Sequence, residues 1–247
     1  MSSPLVPASA MQGWRRSLAD RGEIRLTPFG DAELVAVGAS SPILGLVPAA
    51  SADRSPAEVE STLRRLRHQG LVRAESDTGQ AVLAGDLAGI VAIRRTPALV
   101  GIATVRPATV AGPDPPTAAG HSGQTIAVLH GLAREDGGLA AVLEEVVDAD
   151  GMHHFTLCTP KVAADRLFEA WIDLCADGGP VAVCCHIFAP SSAGPCHLNL
   201  VVDRGPDGSP RARRSRRGDR WDDESPAGAA GEGWARLFEE SVVPLPS

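Results

Sequence analysis

The stretch Ala141–Pro160, AVLEEVVDADGMHHFTLCTP, constrains the fold more than any other part of this chain. Two β-type segments meet there at the turn Asp148-Ala149-Asp150-Gly151, and a helix start follows at once. Asp bonds back to its own backbone and Gly accepts a positive φ, which is what a tight turn demands. The amphipathic run Lys161–Leu174, KVAADRLFEAWIDL, comes directly after. A hairpin that feeds a helix builds a sheet with helices packed on one face. No catalytic group stands out in this unit, so it speaks for architecture, and for binding rather than transformation.

The 247 residues suffice for one large domain or two small ones. Apolar residues make up 44%, enough for a core, and no run reaches the roughly 18 apolar residues of a membrane span. The leading MSSPLVPASAMQGWRR has no basic segment ahead of an apolar one, which speaks against a secretory leader. A net charge of −7 argues against a protein that coats nucleic acid through bulk charge. Lys161 is the only lysine, and with no tyrosine and abundant Ala, Gly and Pro this reads as GC-rich coding bias, not arginine selected for phosphate. Cys158, Cys175, Cys184, Cys185 and Cys196 are odd in number and sit in apolar patterns, which points to reduced thiols and a cytoplasmic protein.

The chain divides into an N-terminal segment (residues 1–22), an α+β half (23–105), a Pro/Gly-rich loop (106–124) and a second α+β half (125–247). Met11–Asp20 suits a short helix, and Glu23–Phe29 alternates as a half-exposed strand does. Ser55, Pro56 and Glu58 predict a capping box at a helix start, with Val59, Leu63 and Leu66 on its apolar face and Gly70 as its stop. Leu71–Glu75 and Gln80–Leu83 read as two short strands. Asp86 is the expected cap of a helix over Leu87–Arg95 that Pro97 ends, and Ala98–Val105 is a buried strand. Thr125–Ala133 is another strand, and the opening hairpin follows it. The helix expected over Val162–Ala176 shows an apolar stripe of Val162, Leu167, Trp171 and Leu174. Pro180–Ala189 and Cys196–Asp203 make a second hairpin, with a turn in Arg204–Ser209. Arg211–Ala230 reads as a mobile loop, and Trp234–Val242 as a closing helix docked by Trp234, Leu237 and Phe238. The fold class is therefore α+β: an antiparallel sheet with helices packed on it, including an N-terminal helix-hairpin, winged-helix-like module.

Several residue sets invite a chemical reading. Gly120-His121-Ser122-Gly123 begins like a nucleophile elbow, but Gln124 replaces the last glycine and the strand–turn–helix context is missing. Cys184, His186, Cys196 and His197 lie on two hairpin strands and could converge on a metal, although no C-x-x-C pair is present. His153 and His154 are neighbours in a strand, so one faces the core and one does not; with no acid partner at a fixed spacing, both read as ordinary sheet residues. Arg211, Arg213, Arg214, Arg216, Arg217 and Arg220, beside Trp221, form a basic run that could hold a polyanion, offset by Asp222, Asp223 and Glu224. Arg64, Arg65, Arg67 and Arg73 lie on the helix-hairpin module as a winged-helix DNA reader would place them, but Asp31–Ala50 lacks two clean preceding helices. Arginines 64, 65, 67 and 73 are the candidate DNA-binding set of this alternative. No catalytic residue, metal or cofactor is implied.

The order LRRLRHQGLV (Leu63–Val72), the helix after Gly85, the strand Ala98–Val105, Thr125–His130, the Asp148–Gly151 hairpin and Thr159-Pro160 leading into AADRLFEAW resembles the EspG family of actinobacterial type VII (ESX) secretion-associated proteins. A Gly/Arg-rich loop and a Trp-containing last helix complete the likeness, which covers about Glu23–Val243. The resemblance implies an α+β fold and a cytoplasmic, non-enzymatic chaperone that holds a helical secretion substrate. It assigns no binding residue here. The Pro-rich Gly112–Gly120 loop and the basic Arg211–Arg220 segment depart from that family. The reading from sequence is thus a chaperone-like protein-binding protein, with a winged-helix DNA-binding regulator as the alternative.

Overall fold

The computed structural model describes residues 12–39, 54–74, 81–107, 124–133, 139–178, 181–189, 196–205, 207–215, 223–227 and 231–242. In chain order the elements begin with α1 (Gln12–Arg21), β1 (Glu23–Arg25), β2 (Phe29–Gly30), α2 (Asp31–Ala36), α3 (Pro56–His68), β3 (Val72–Ala74), β4 (Ala81–Leu83) and α4 (Gly85–Arg95). There follow β5 (Leu99–Pro107), β6 (Gln124–Ala133), β7 (Leu139–Val147), β8 (Met152–Cys158) and α5 (Pro160–Gly178). The chain closes with β9 (Val181–Ala189), β10 (Cys196–Arg204), β11 (Pro210–Ser215), β12 (Asp223–Pro226) and α6 (Glu232–Val242). Helices and a large antiparallel sheet are both present. The chain separates into two compact units, Met1–Pro97 with Glu145–Leu157, and Ala98–Glu144 with Cys158–Ser247.

In the first unit α3 starts as its sequence requires. Glu58 N–H donates to Ser55 Oγ at 3.3 Å and Ser55 N–H to Glu58 Oε2 at 2.8 Å, with Pro56 in the first turn. The helix stops at Gly70, whose φ of +74° suits glycine. Gly70 N–H donates to Arg67 O and Leu71 N–H to Leu66 O, both at 3.0 Å, so the last carbonyls are satisfied. β3 and β4 then pair antiparallel, Arg73 opposite Val82. α4 is buried nearly all round by Leu87, Ala88, Ile90, Val91, Ile93 and Arg94. α1 lies against it because Gly89 leaves room for the Trp14 ring.

Two expectations are corrected here. Asp86 does not cap α4, which begins at Gly85 after Ala84; its carboxylate instead accepts from the backbone N–H and the hydroxyl of Thr27, each at 2.9 Å. The strand expected over Glu23–Phe29 is broken into β1 and β2, with Pro28, which has no N–H to give a ladder, between them. Leu26 N–H still donates to Phe155 O at 2.9 Å, and Phe29 pairs with His153 on β8.

In the second unit the strands run β7-β6-β5-β9-β10-β11-β12. The ladders β5–β6, β5–β9, β9–β10, β10–β11 and β11–β12 are antiparallel. Leu99, Ala103, Leu129, Val142, Val183, Cys185, Ile187 and Leu200 pack in one core with the residues of α5 and α6. On α5 the deepest side chains are Ala163, Ala164, Leu167, Phe168 and Trp171, while Val162 and Leu174 lie at the margin. The stripe is thus rotated from the expected one, because small alanines allow close approach and the Phe168 ring lies 5.3 Å from that of Trp171. Trp234, Leu237 and Phe238 of α6 are fully buried, as their spacing predicts.

Arg211–Ala230 is not a mobile loop over its described residues: β11 pairs with β10, and β12 pairs with β11. Alternation explains the strand, since Ala212 points into the core while Arg211 and Arg213 find Asp203 across the ladder. Arg216, Arg217, Arg220 and Trp221 lie outside the described residues, as do Ser122 and Gly112–Gly120.

Candidate functional site

The hairpin of β7 and β8 carries the geometry of most interest. Its turn forms as the residues require: Asp148 Oδ1 accepts from the N–H groups of Asp150 and Met152 at 2.9 Å each, and Gly151 takes a φ of +76°. Asp148 Oδ2 lies 2.7 Å from His154 Nε2. That bond, ahead of the backbone donors, holds the Asp148 carboxyl below the usual aspartate range. Just before the turn the buried run of β7 ends, and Val146 and Val147 are 36% and 50% exposed.

Within the same unit, Glu145 Oε1 accepts from His153 Nδ1 at 2.6 Å and lies 3.3 Å from Arg94 Nη1 on α4. All three side chains are buried. The Phe155 ring is stacked on His153, and the Arg94 guanidinium lies 6.0 Å from its centroid. Burial lowers the pKa of Arg94, and Glu145, then Asp31, oppose that. The alternation of a strand puts one of the two histidines on the core side without saying which; His153 is the buried one, and the acid partners of both were not legible. Glu145 is eight residues from His153 and Arg94 fifty-one from Glu145, so neither falls in a local motif. The one available signal was two glutamates in the middle of an otherwise apolar strand.

Of the four metal candidates only Cys184 and His186 have described side chains; those of Cys196 and His197 lie outside the described residues. His186 stands opposite Asn199, with His186 Nδ1 2.7 Å from Asn199 Oδ1, and Cys184 stands opposite Val201. Cys196 is opposite Ala189, so it lies roughly 16 Å along the ladder from Cys184 at about 3.3 Å per residue. Among the described residues no group of three or more His, Cys, Asp or Glu side chains could hold a metal. Burial pushes the Cys184 thiol up and that of Cys185 up to about 12, which makes both poor nucleophiles.

The basic candidates are largely engaged within the protein. Arg64 pairs with Glu60 at 3.2 Å, Arg65 with Glu33 at 3.1 Å, and Arg73 Nε donates to Gly70 O at 3.3 Å. Arg67 is exposed on α3. In β11, Arg211 and Arg213 both bind Asp203, and Arg214 lies 3.4 Å from Glu240 on α6. These three arginines are strand residues with acidic partners and not a solvated basic loop.

No protein-family profile and no curated protein sequence matches this chain. Among solved structures it has a distant likeness to the Mycobacterium tuberculosis type VII secretion system chaperone EspG5, determined in complex with the PE25–PPE41 dimer. That likeness has 10% identity and a TM-score of 0.46, and covers 91% of this chain and 98% of the other. No described helix is long and apolar enough to cross a membrane.

Proposed function

We propose that this chain is a non-enzymatic, chaperone-like protein that binds another protein, a helical type VII secretion substrate, in the cytoplasm. One observation carries the reading: Val146 and Val147 are exposed at the end of a strand whose preceding residues Ala141–Glu145 are buried, on a hairpin held by its turn and by the Glu145 cluster. Apolar side chains presented on a rigid element supply binding energy at low ordering cost. The order of sequence features shared with the EspG family supports the substrate class. The test is affinity purification of the tagged chain from its own cells, beside a Val146→Asp/Val147→Asp variant. A specific helical protein, lost from a variant of unchanged thermal stability, is the expected result. Equal recovery by both would reject the hairpin as the binding surface.

The winged-helix alternative rests on α3 with its exposed arginines followed by the β3–β4 hairpin. A DNA reader using Arg64, Arg65, Arg67 and Arg73 must lose affinity steeply as salt rises. Retention of a specific DNA fragment, abolished by Arg64→Ala plus Arg65→Ala, would favour that function over the first.

A further inference from the structure

In the second unit β9 and β10 pair with His186 opposite Asn199 and Cys184 opposite Val201. Toward α5 and α6 they present apolar residues that can replace one another: Val183, Cys185 and Ile187 on β9, Leu198, Leu200 and Val202 on β10. A one-residue slip would turn those six away from the helices, so the core forbids it. A two-residue slip keeps every side chain on its own face. It sets Ile187 opposite Leu200 instead of Leu198, and Cys185 opposite Val202 instead of Leu200, and the apolar face loses little.

The other face tells these registers apart. There His186 Nδ1 lies 2.7 Å from Asn199 Oδ1, and both side chains are buried. From β5 the residue opposite His186 is Ile102, which offers it no polar side chain. The slip just described would set His186 against Val201 and Asn199 against Phe188, and the reverse slip would set Asn199 against Cys184. In both, imidazole and amide lose one another inside the sheet, and a buried polar group without its partner costs more than the bond contributes. The β10–β11 register is set differently, by its turn, where Gly205 N–H donates to Ser209 O at 2.8 Å and Ser209 N–H to Asp207 Oδ1 at 3.0 Å. We infer that the His186–Asn199 pair is the register key of this unit. It selects one pairing of β9 with β10 among those the apolar face accepts, and it contributes to uniqueness more than to stability.

The test is backbone NMR of the full chain carrying His186→Leu and Asn199→Leu. Removing the pair as a unit leaves neither group orphaned, so this variant should keep a Tm near that of the unaltered protein. Either change alone should lower Tm by roughly 2–12 °C. Two sets of β9 and β10 resonances are expected from the double variant, one with residue 186 against 199 and one with it against 201 or 197. One set, with 186 against 199 alone, overturns the inference. Should the double variant not fold, the exchanged pair His186→Asn with Asn199→His decides. A single set with 186 against 199 supports a key made by the pair itself, and two sets, or no folded protein, overturn it.

Discussion

Glu145 and Arg94 meet at 3.3 Å from β7 and α4, both almost wholly out of water, on the same carboxylate oxygen that accepts from His153. Removing one partner leaves the other charge buried without its counterpart. Arg94→Met should therefore lower unfolding free energy by about 3–5 kcal/mol, and Arg94→Met with Glu145→Leu should recover much of that loss. Urea unfolding of the two variants checks this. A loss under about 1 kcal/mol in the single variant would contradict the reading.

Trp234 joins α6 to α5 by two means, its buried ring and its indole N–H, which donates to Ala164 O at 2.9 Å. Trp234→Ala should cost about 3–5 kcal/mol. Trp234→Phe keeps much of the ring contact and loses the bond, so it should cost less. Equal losses on chemical denaturation would show that the hydrogen bond carries the contact.

Gly231 precedes α6 with a φ of +77°, and a Cβ there would stand 2.7 Å from the Phe168 ring. Gly231→Ala should thus lower Tm through both strain and a clash with α5. Gly151→Ala shares the positive φ but has open space around it, so it should be milder. Thermal unfolding of the pair separates backbone strain from overpacking.

Cys184 and Cys185 have raised thiol pKa values because they are buried. At pH 8 a thiol reagent should label the half-buried Cys175 before either of them, and reach both after denaturation. Mass mapping of labelled peptides at increasing times reads the order. Early modification of Cys185 in folded protein would refute its burial.

Acid should act on the hairpin turn in a definite direction. The Asp148 carboxyl has a lowered folded pKa, so its contribution is present above the unfolded value and is lost as pH falls through the folded one. The Asp150 and Met152 amide resonances should therefore hold their positions down to the ordinary aspartate range and move below it. Asp148→Asn should move them at neutral pH.

The helix over Pro56–His68 was legible because its signals are local: Ser55, Pro56, Glu58 and Gly70 act within one turn of the ends they set. The α6 residues Trp234, Leu237 and Phe238 were legible by periodicity alone. Asp86 was misread for a related reason, since an Asp before an apolar run looks like a cap until Thr27, fifty-nine residues away, supplies two better donors. Arg211–Ser215 was misread because a strand of arginines has no apolar alternation to see. Its pattern becomes sensible only when Asp203 lies opposite Arg211.

By itself the sequence determined the α+β class, the turn at Asp148–Gly151 and most helix and strand identities, because caps, turns and periodicity depend on residues a few positions apart. Tertiary structure alone decided that Glu144 and Glu145, adjacent in β7, are held by Arg166 of α5 and Arg94 of α4. It also decided that the proposed β11 loop is a strand, and that Val146 and Val147 are left in water. Burial of a charge is tolerable only beside its counter-charge, and which counter-charge arrives depends on how distant segments fold back, a relationship that no local spacing records.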